Sequence, residues 1–154
     1  MTSEPTVPPG RLEARAAVLA AKRATATTWA ELAAALDRSV VWTTSALLGQ
    51  QPLDATQAET AGRLLGLDDA VITALMLPPV RGAAAVDLTE PLAYRLSEMV
   101  QVYGAAITEL VTEEFGDGIM SAIDFEVAFA RVADPKGDRV VVTLNGKFLP
   151  YRVW

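Results

Sequence analysis

Apolar side chains recur at spacings of three and four through most of this chain and at every second position near its end, which predicts helices first and strands last. A helix is expected from about Arg11 to Ala24. Thr28-Trp29-Ala30-Glu31 is a capping-box pattern that opens a second helix to about Asp37, and Ser39 caps a third through Leu48. Asp54 and Asp68 are caps for two more, ending near Leu65 and Leu77, with Gly62 a mild interruption in the first of these. Pro78 to Pro91, PPVRGAAAVDLTEP, is punctuated by proline and glycine and marks a boundary. Beyond it, Thr89 as cap and Pro91 in the first turn start a long helix to about Phe115, where Gly116-Asp117-Gly118 stops it. Its apolar stripe is Leu92, Leu96, Met99, Tyr103, Ile107 and Leu110, an amphipathic face that requires a partner.

After Gly118 the period drops to two, with Ile119, Ser121, Ile123 and Phe125 on one face of a strand. A strand near Phe125 to Val132, a turn at Asp134-Pro135-Lys136-Gly137-Asp138 and a β-branched strand from Arg139 to Leu144 follow. Asn145-Gly146 is a short hairpin signal that would return the chain through Lys147 to Leu149. The expected fold is α+β: a disordered segment over residues 1–10, a helical bundle over 11–80, a linker over 81–91, and a long helix with a small β-rich dimerisation unit over 92–154. Short strands and the apolar tail Tyr151, Val153 and Trp154 leave edges that a single protomer does not satisfy, so pairing between subunits is expected.

The chain has 154 residues, a formal charge of -6, and neither cysteine nor histidine. Disulfides, a thiol nucleophile, an imidazole base and the usual zinc ligands are therefore excluded. The acidic balance disfavours broad phosphate neutralisation. Hydrophobic residues make up 51% of the chain, partly as alanine, and buried subunit contacts would account for the rest. With no leader-like N-terminus and an apolar run at Val71 to Val80 broken by prolines, a soluble, cytoplasmic protein without membrane association is expected.

Candidate chemistry lies between Tyr94 and Phe125. From Leu92 to Pro135 the cations are Arg95 and Arg131, set among eight carboxylates. Arg95, Glu98 and Val102 lie along one flank of the long helix's apolar stripe, where they can reach the edge of a cleft. Ser121 is a lone hydroxyl in an apolar row, either bonded locally or reserved for a ligand. Taken alone, an arginine and a glutamate three apart are an ordinary solvated pair, and such a serine an ordinary satisfied core hydroxyl. Asp117 and Asp124 are too isolated to argue a metal site.

The second and third helices also have helix-turn-helix spacing. A non-enzymatic DNA-binding regulator is the alternative from another class, with Thr43, Thr44 and Gln50 as base contacts, but the candidate reading helix carries no Arg or Lys after Arg38.

Five ordered segments, ALLGQQ at Ala46 to Gln51, LPPVRG ending at Gly82, YRLSEMVQVYG at Tyr94 to Gly104, FGDGIMSAIDF at Phe115 to Phe125 and VADPKGDRVVVTLNGKFLP at Val132 to Pro150, resemble signature segments of the cyanase family (cyanate hydratase, or cyanate lyase). The resemblance implies a helical domain similar to a DNA-binding one but not used for DNA, and a C-terminal domain interlocked with a neighbour's in dimers that build a homodecamer. It implies Arg95, Glu98 and Ser121 as catalytic residues at sites between subunits. The implied reaction joins cyanate to bicarbonate and, through carbamate, yields ammonia and carbon dioxide, with no cofactor or metal, in cyanate detoxification or nitrogen supply. The chain departs from some relatives at Ala83 and Thr112, where cysteine and histidine can occur, outside that trio.

Overall fold

The structure, a computed structural model, describes residues 10–82 and 86–154. The disorder expected over residues 1–10 falls outside the described residues except for Gly10, as do positions 83–85 of the expected linker. Six helices precede a two-stranded hairpin: α1 Arg11–Thr25, α2 Trp29–Leu36, α3 Val40–Leu47, α4 Ala55–Leu65, α5 Asp69–Met76, α6 Pro91–Phe115, then β1 Gly118–Val132 and β2 Arg139–Pro150. The chain divides into two compact units, the first carrying α1–α5 together with the outer part of the hairpin, Ala128–Val142, and the second α6 with the rest of the hairpin. No helix among the described residues is long and apolar enough to cross a membrane.

Local hydrogen bonding decides where the helices of the first unit begin. Thr28 Oγ1 accepts from Glu31 N while the Glu31 carboxylate accepts from Thr28 N at 2.7 Å, and Asp54 and Gln57 make the same reciprocal exchange. The Thr28 backbone N–H, followed by its hydroxyl, holds the Glu31 carboxyl below its usual pKa. Ser39 and Asp68 cap α3 and α5 through Trp42 N and Val71 N. The expected Thr89 cap of α6 is not the one formed. Thr89 gives both its N–H and its hydroxyl to Asp87 Oδ1, and the Glu90 carboxylate takes Ala93 N at 2.9 Å instead.

Val18, Leu32, Leu36, Ala46, Leu47, Leu53, Ala58, Ala61, Leu65 and Leu75 form one continuous core in the first unit, ringed by Trp29, Trp42, Ile72 and Met76. Gly62 belongs to this packing rather than interrupting α4, because a Cβ there would lie 2.6 Å from Ile72 Cγ1. Arg11 ties the unit together. Its guanidinium donates to Ala74 O at 2.9 Å, Ala46 O at 3.2 Å and Gln51 O at 2.7 Å, closing the carbonyl ends of α3 and α5 and the loop after α3. A cation at two helix C-termini also meets the negative ends of their dipoles. Burial lowers the Arg11 pKa, yet an arginine remains charged.

The second unit is organised differently. Among the described residues beyond Leu75, Ser121 alone is buried. Every member of the α6 stripe, from Leu92 to Leu110, is exposed. Phe115 stacks on Phe148 with ring centroids 5.3 Å apart, and Tyr151 N donates to Asp117 O, so the end of α6 is joined to the end of β2. Asn145-Gly146 is not a hairpin turn: β2 runs straight through it from Arg139 to Pro150, and β1, Gly118–Val132, joins in one strand the alternating stretch expected after Gly118 and the one expected near Phe125 to Val132. The turn sits at Asp134 to Asp138, where Asp134 accepts from Lys136 N and pairs with Arg139. Gly146 has another reason to lack a side chain, since a Cβ would lie 2.5 Å from Ser121 O and against Met120. Cross-strand pairing thus overrides a turn signal that is local.

Two substitutions test this account by thermal or denaturant unfolding. Ala26 closes α1 with φ 55°, a left-handed position. Ala26→Gly is expected to stabilise by about 0.5–1 kcal/mol. Arg11→Met should lower stability by about 1–3 kcal/mol, because part-buried carbonyls lose their donor. An unchanged midpoint for Arg11→Met would show that the three bonds do not hold the helices.

Candidate functional site

Arg95 and Glu98 sit in the second turn of α6, one turn apart. Their side chains meet, with Nη1 to Oε2 at 2.7 Å, and the Arg95 guanidinium lies 5.6 Å from the centre of the Tyr94 ring. The pair is open to solvent, with the two side chains 69% and 45% exposed, so it contributes only about 0–1 kcal/mol to stability. An exposed arginine neutralised by one carboxylate and backed by an aromatic ring is a ready receptor for a small anion, which can displace or share the glutamate.

Ser121 is 4% exposed. Its Oγ accepts from Ile123 N at 3.0 Å and from Asp124 N at 2.9 Å. The expected strict alternation breaks here. Met120 and Phe125 both face Gly146 across the hairpin, although residues five apart in a regular strand point to opposite faces. An extra residue between them, in a bulge, reconciles the two. The same shift puts Ser121 and Asp124 on one face, and the Asp124 carboxylate meets Lys147 Nζ at 3.9 Å. Lys147 and the amides of Ile123 and Asp124 escape sequence reading: the lysine is distant along the chain, and no residue type announces a backbone amide turned inward.

The structure brings Arg95 and Glu98 together, but no hydrogen bond or ion pair joins either to Ser121 among the described residues. At 1.5 Å per residue, Arg95 lies about 30 Å from the end of α6. Within one chain the candidate site is thus in two parts that no bond links among the described residues. A shallow apolar groove near the end of α6, lined by Ile107, Leu110, Val111 and Phe115, holds none of the three residues. Among the described residues no cluster of three or more carboxylates is arranged to hold a metal.

The DNA-reading candidates are engaged elsewhere. Thr43 is fully buried, the Thr44 hydroxyl donates to Val40 O, and Gln50 Oε1 accepts from Gly82 N at 2.9 Å. With Arg81 donating to Gln51 Oε1, the ALLGQQ and LPPVRG segments are clipped to each other.

Residues 11–79 match the family model described as cyanate hydratase, N-terminal, and residues 85–153 match that of the cyanate lyase C-terminal domain. The chain is 53% identical over 142 residues to a cyanate hydratase of Mycolicibacterium vanbaalenii, covering 92% of this chain and 93% of that one. It is 52% identical over 138 residues to a cyanate hydratase of Thiobacillus denitrificans, covering 89% and 94%. The crystal structure of cyanase from T. urticae superimposes with a TM-score of 0.79 at 35% identity, over 89% of this chain and 96% of that one.

Because the Arg95–Glu98 pair is exposed, Arg95→Ala is expected to change unfolding free energy by no more than about 0.5 kcal/mol. A larger loss in denaturant titration would mean that the pair supports the fold rather than a ligand.

Proposed function

The chain belongs to the cyanate hydratase (cyanate lyase) family, and from that membership we propose that it decomposes cyanate with bicarbonate, through carbamate, to ammonia and carbon dioxide, in the cytoplasm. The two family models that together span residues 11–79 and 85–153 carry this reading. The DNA-binding alternative is not supported.

The chemistry begins with two anions. At about 4 Å and an effective dielectric of 20 they repel by roughly 4 kcal/mol, so a productive complex requires positive charge or oriented donors. Arg95 would supply the charge, with a planar fork suited to the carboxylate-like edge of bicarbonate. Glu98, 2.7 Å away, would orient that fork and neutralise it while the site is empty. A bicarbonate oxygen would attack the cyanate carbon, and Arg95 with Ser121 would hold the negative charge that gathers on the adduct. Decarboxylation with uptake of one proton then leaves carbamate and carbon dioxide. Carbamate takes a second proton and falls apart to ammonia and a second carbon dioxide. No covalent intermediate with the protein is required, and neither cofactor nor metal enters the scheme.

We further propose that the working form is a homo-oligomer, a decamer built from dimers, in which a neighbouring chain brings Ser121 to Arg95. The exposed α6 stripe, and the lack of any bond between Arg95 and Ser121 among the described residues, support this. Symmetry would place more than one Arg95 near the same anions, so one arginine per chain suffices.

Purified protein incubated with cyanate should release ammonia only when bicarbonate is present, and Arg95→Ala should lose about 100-fold or more of that rate while remaining folded. Release independent of bicarbonate, or a fully active Arg95→Ala variant, would defeat the mechanism. Light scattering should give the mass of ten chains. Ile107→Glu, remote from the chemistry but central to the stripe, should lower both mass and activity.

A further inference from the structure

We infer that the β1 bulge makes Ser121 a one-way hydrogen-bond donor, so that the hydroxyl receives the anion by giving its proton and can act neither as acceptor nor as nucleophile. The inference rests on the cyanate reading for the identity of the anion, and on the hairpin alone for the direction of the bond.

A serine oxygen has two lone pairs and one proton. In Ser121 both lone pairs are occupied, by Ile123 N–H at 3.0 Å and Asp124 N–H at 2.9 Å. The hydroxyl proton finds no acceptor among the described residues, although the side chain is 4% exposed. A buried donor without a partner is costly, and here its direction is set by elimination: the proton must point away from the two amides. Two donors feeding the oxygen polarise the O–H bond, which strengthens the hydrogen bond it gives. They also tie up the electron pairs that an attack on the cyanate carbon would use, and the chain offers no histidine to take the proton.

This arrangement selects ligands. The two groups that would meet the anion, Arg95 and Ser121, are both donors and accept anions with bare oxygen or nitrogen edges, while Glu98 is held on Arg95. They disfavour neutral compounds of similar size whose N–H or O–H groups would face another donor. Gly146 makes the geometry possible. A Cβ there would lie 2.5 Å from Ser121 O, so a side chain would shift the strand backbone at Ser121 itself. Gly146 is thus a positioning residue, acting on the ligand only through Ser121.

The assembled protein tests this with Ser121→Ala, Ser121→Gly, Ser121→Thr and Gly146→Ala, scored by cyanate turnover, by calorimetric binding of azide, a linear anion with acceptor ends only, and by hydrogen exchange of the amides at 123 and 124. Ser121→Ala should lower kcat/KM by about 100-fold and speed exchange at both amides. Ser121→Gly leaves room for a water that takes the place of Oγ, accepts from both amides and donates onward, so it should exceed Ser121→Ala by about tenfold. Ser121→Thr should retain the donor and most of the azide binding, and Gly146→Ala should weaken azide binding with Ser121 still in place. Unchanged exchange in Ser121→Ala, equal inactivity of the Ala, Gly and Thr variants, or a covalent adduct on Ser121 trapped during turnover would overturn the inference. If the unsubstituted protein binds azide in a Ser121-dependent way yet releases no ammonia from cyanate, the cyanate reading fails and the donor assignment stands.

Discussion

Apolar surface that its own chain does not bury is the constraint on which the second half of this protein depends. α6 is 25 residues long with no buried residue, and the hairpin after it buries one serine. Isolated helices draw little stability from propensity, and a two-stranded ribbon is marginal in water. A stripe running from Leu92 to Leu110 and an open hairpin hold their shape when another surface covers them. The candidate chemistry sits in this half, at two places that no hydrogen bond or ion pair joins among the described residues. Covering the stripe and completing the site are, in the proposed oligomer, the same event.

The first unit is the opposite case. Its core is closed, its helices are capped by their own side chains, and its charged groups are used to fasten it. In α3 Thr43 faces inward and Thr44 bonds back along the helix, and Gln50 is spent on Gly82. What looks in sequence like a reading helix is therefore a packing helix. The difference lies in which side chains remain available, and helix spacing alone does not reveal that.

Much of this was legible in the sequence where the physics is local. Thr28, Ser39, Asp54 and Asp68 cap their helices because each oxygen needs only an amide three residues on. Thr89 was misread because Asp87, two residues upstream, captures it first and leaves Glu90 to cap α6. Asn145-Gly146 was misread because the glycine answers to Met120 and Ser121 on the opposite strand, contacts that no short window contains. For the site, the spacing of Arg95 and Glu98 foretold their contact and the apolar alternation singled out Ser121 as a lone hydroxyl, while the resemblance supplied the role of all three. The bulge was hidden because a single extra residue reverses the parity of everything after it without altering composition.

The reach of Arg11 bears on how the chain becomes a protein at all. Its three carbonyl partners lie 35, 40 and 63 residues further along. The first residue of the first helix therefore waits for α5 before its charge is satisfied, and on the ribosome the N-terminal end stays unlatched until most of the helical unit has emerged. Contacts of such separation are the slow ones in a folding reaction. The latch can thus be completed only once α5 has been synthesised, with the apolar half still to come behind it.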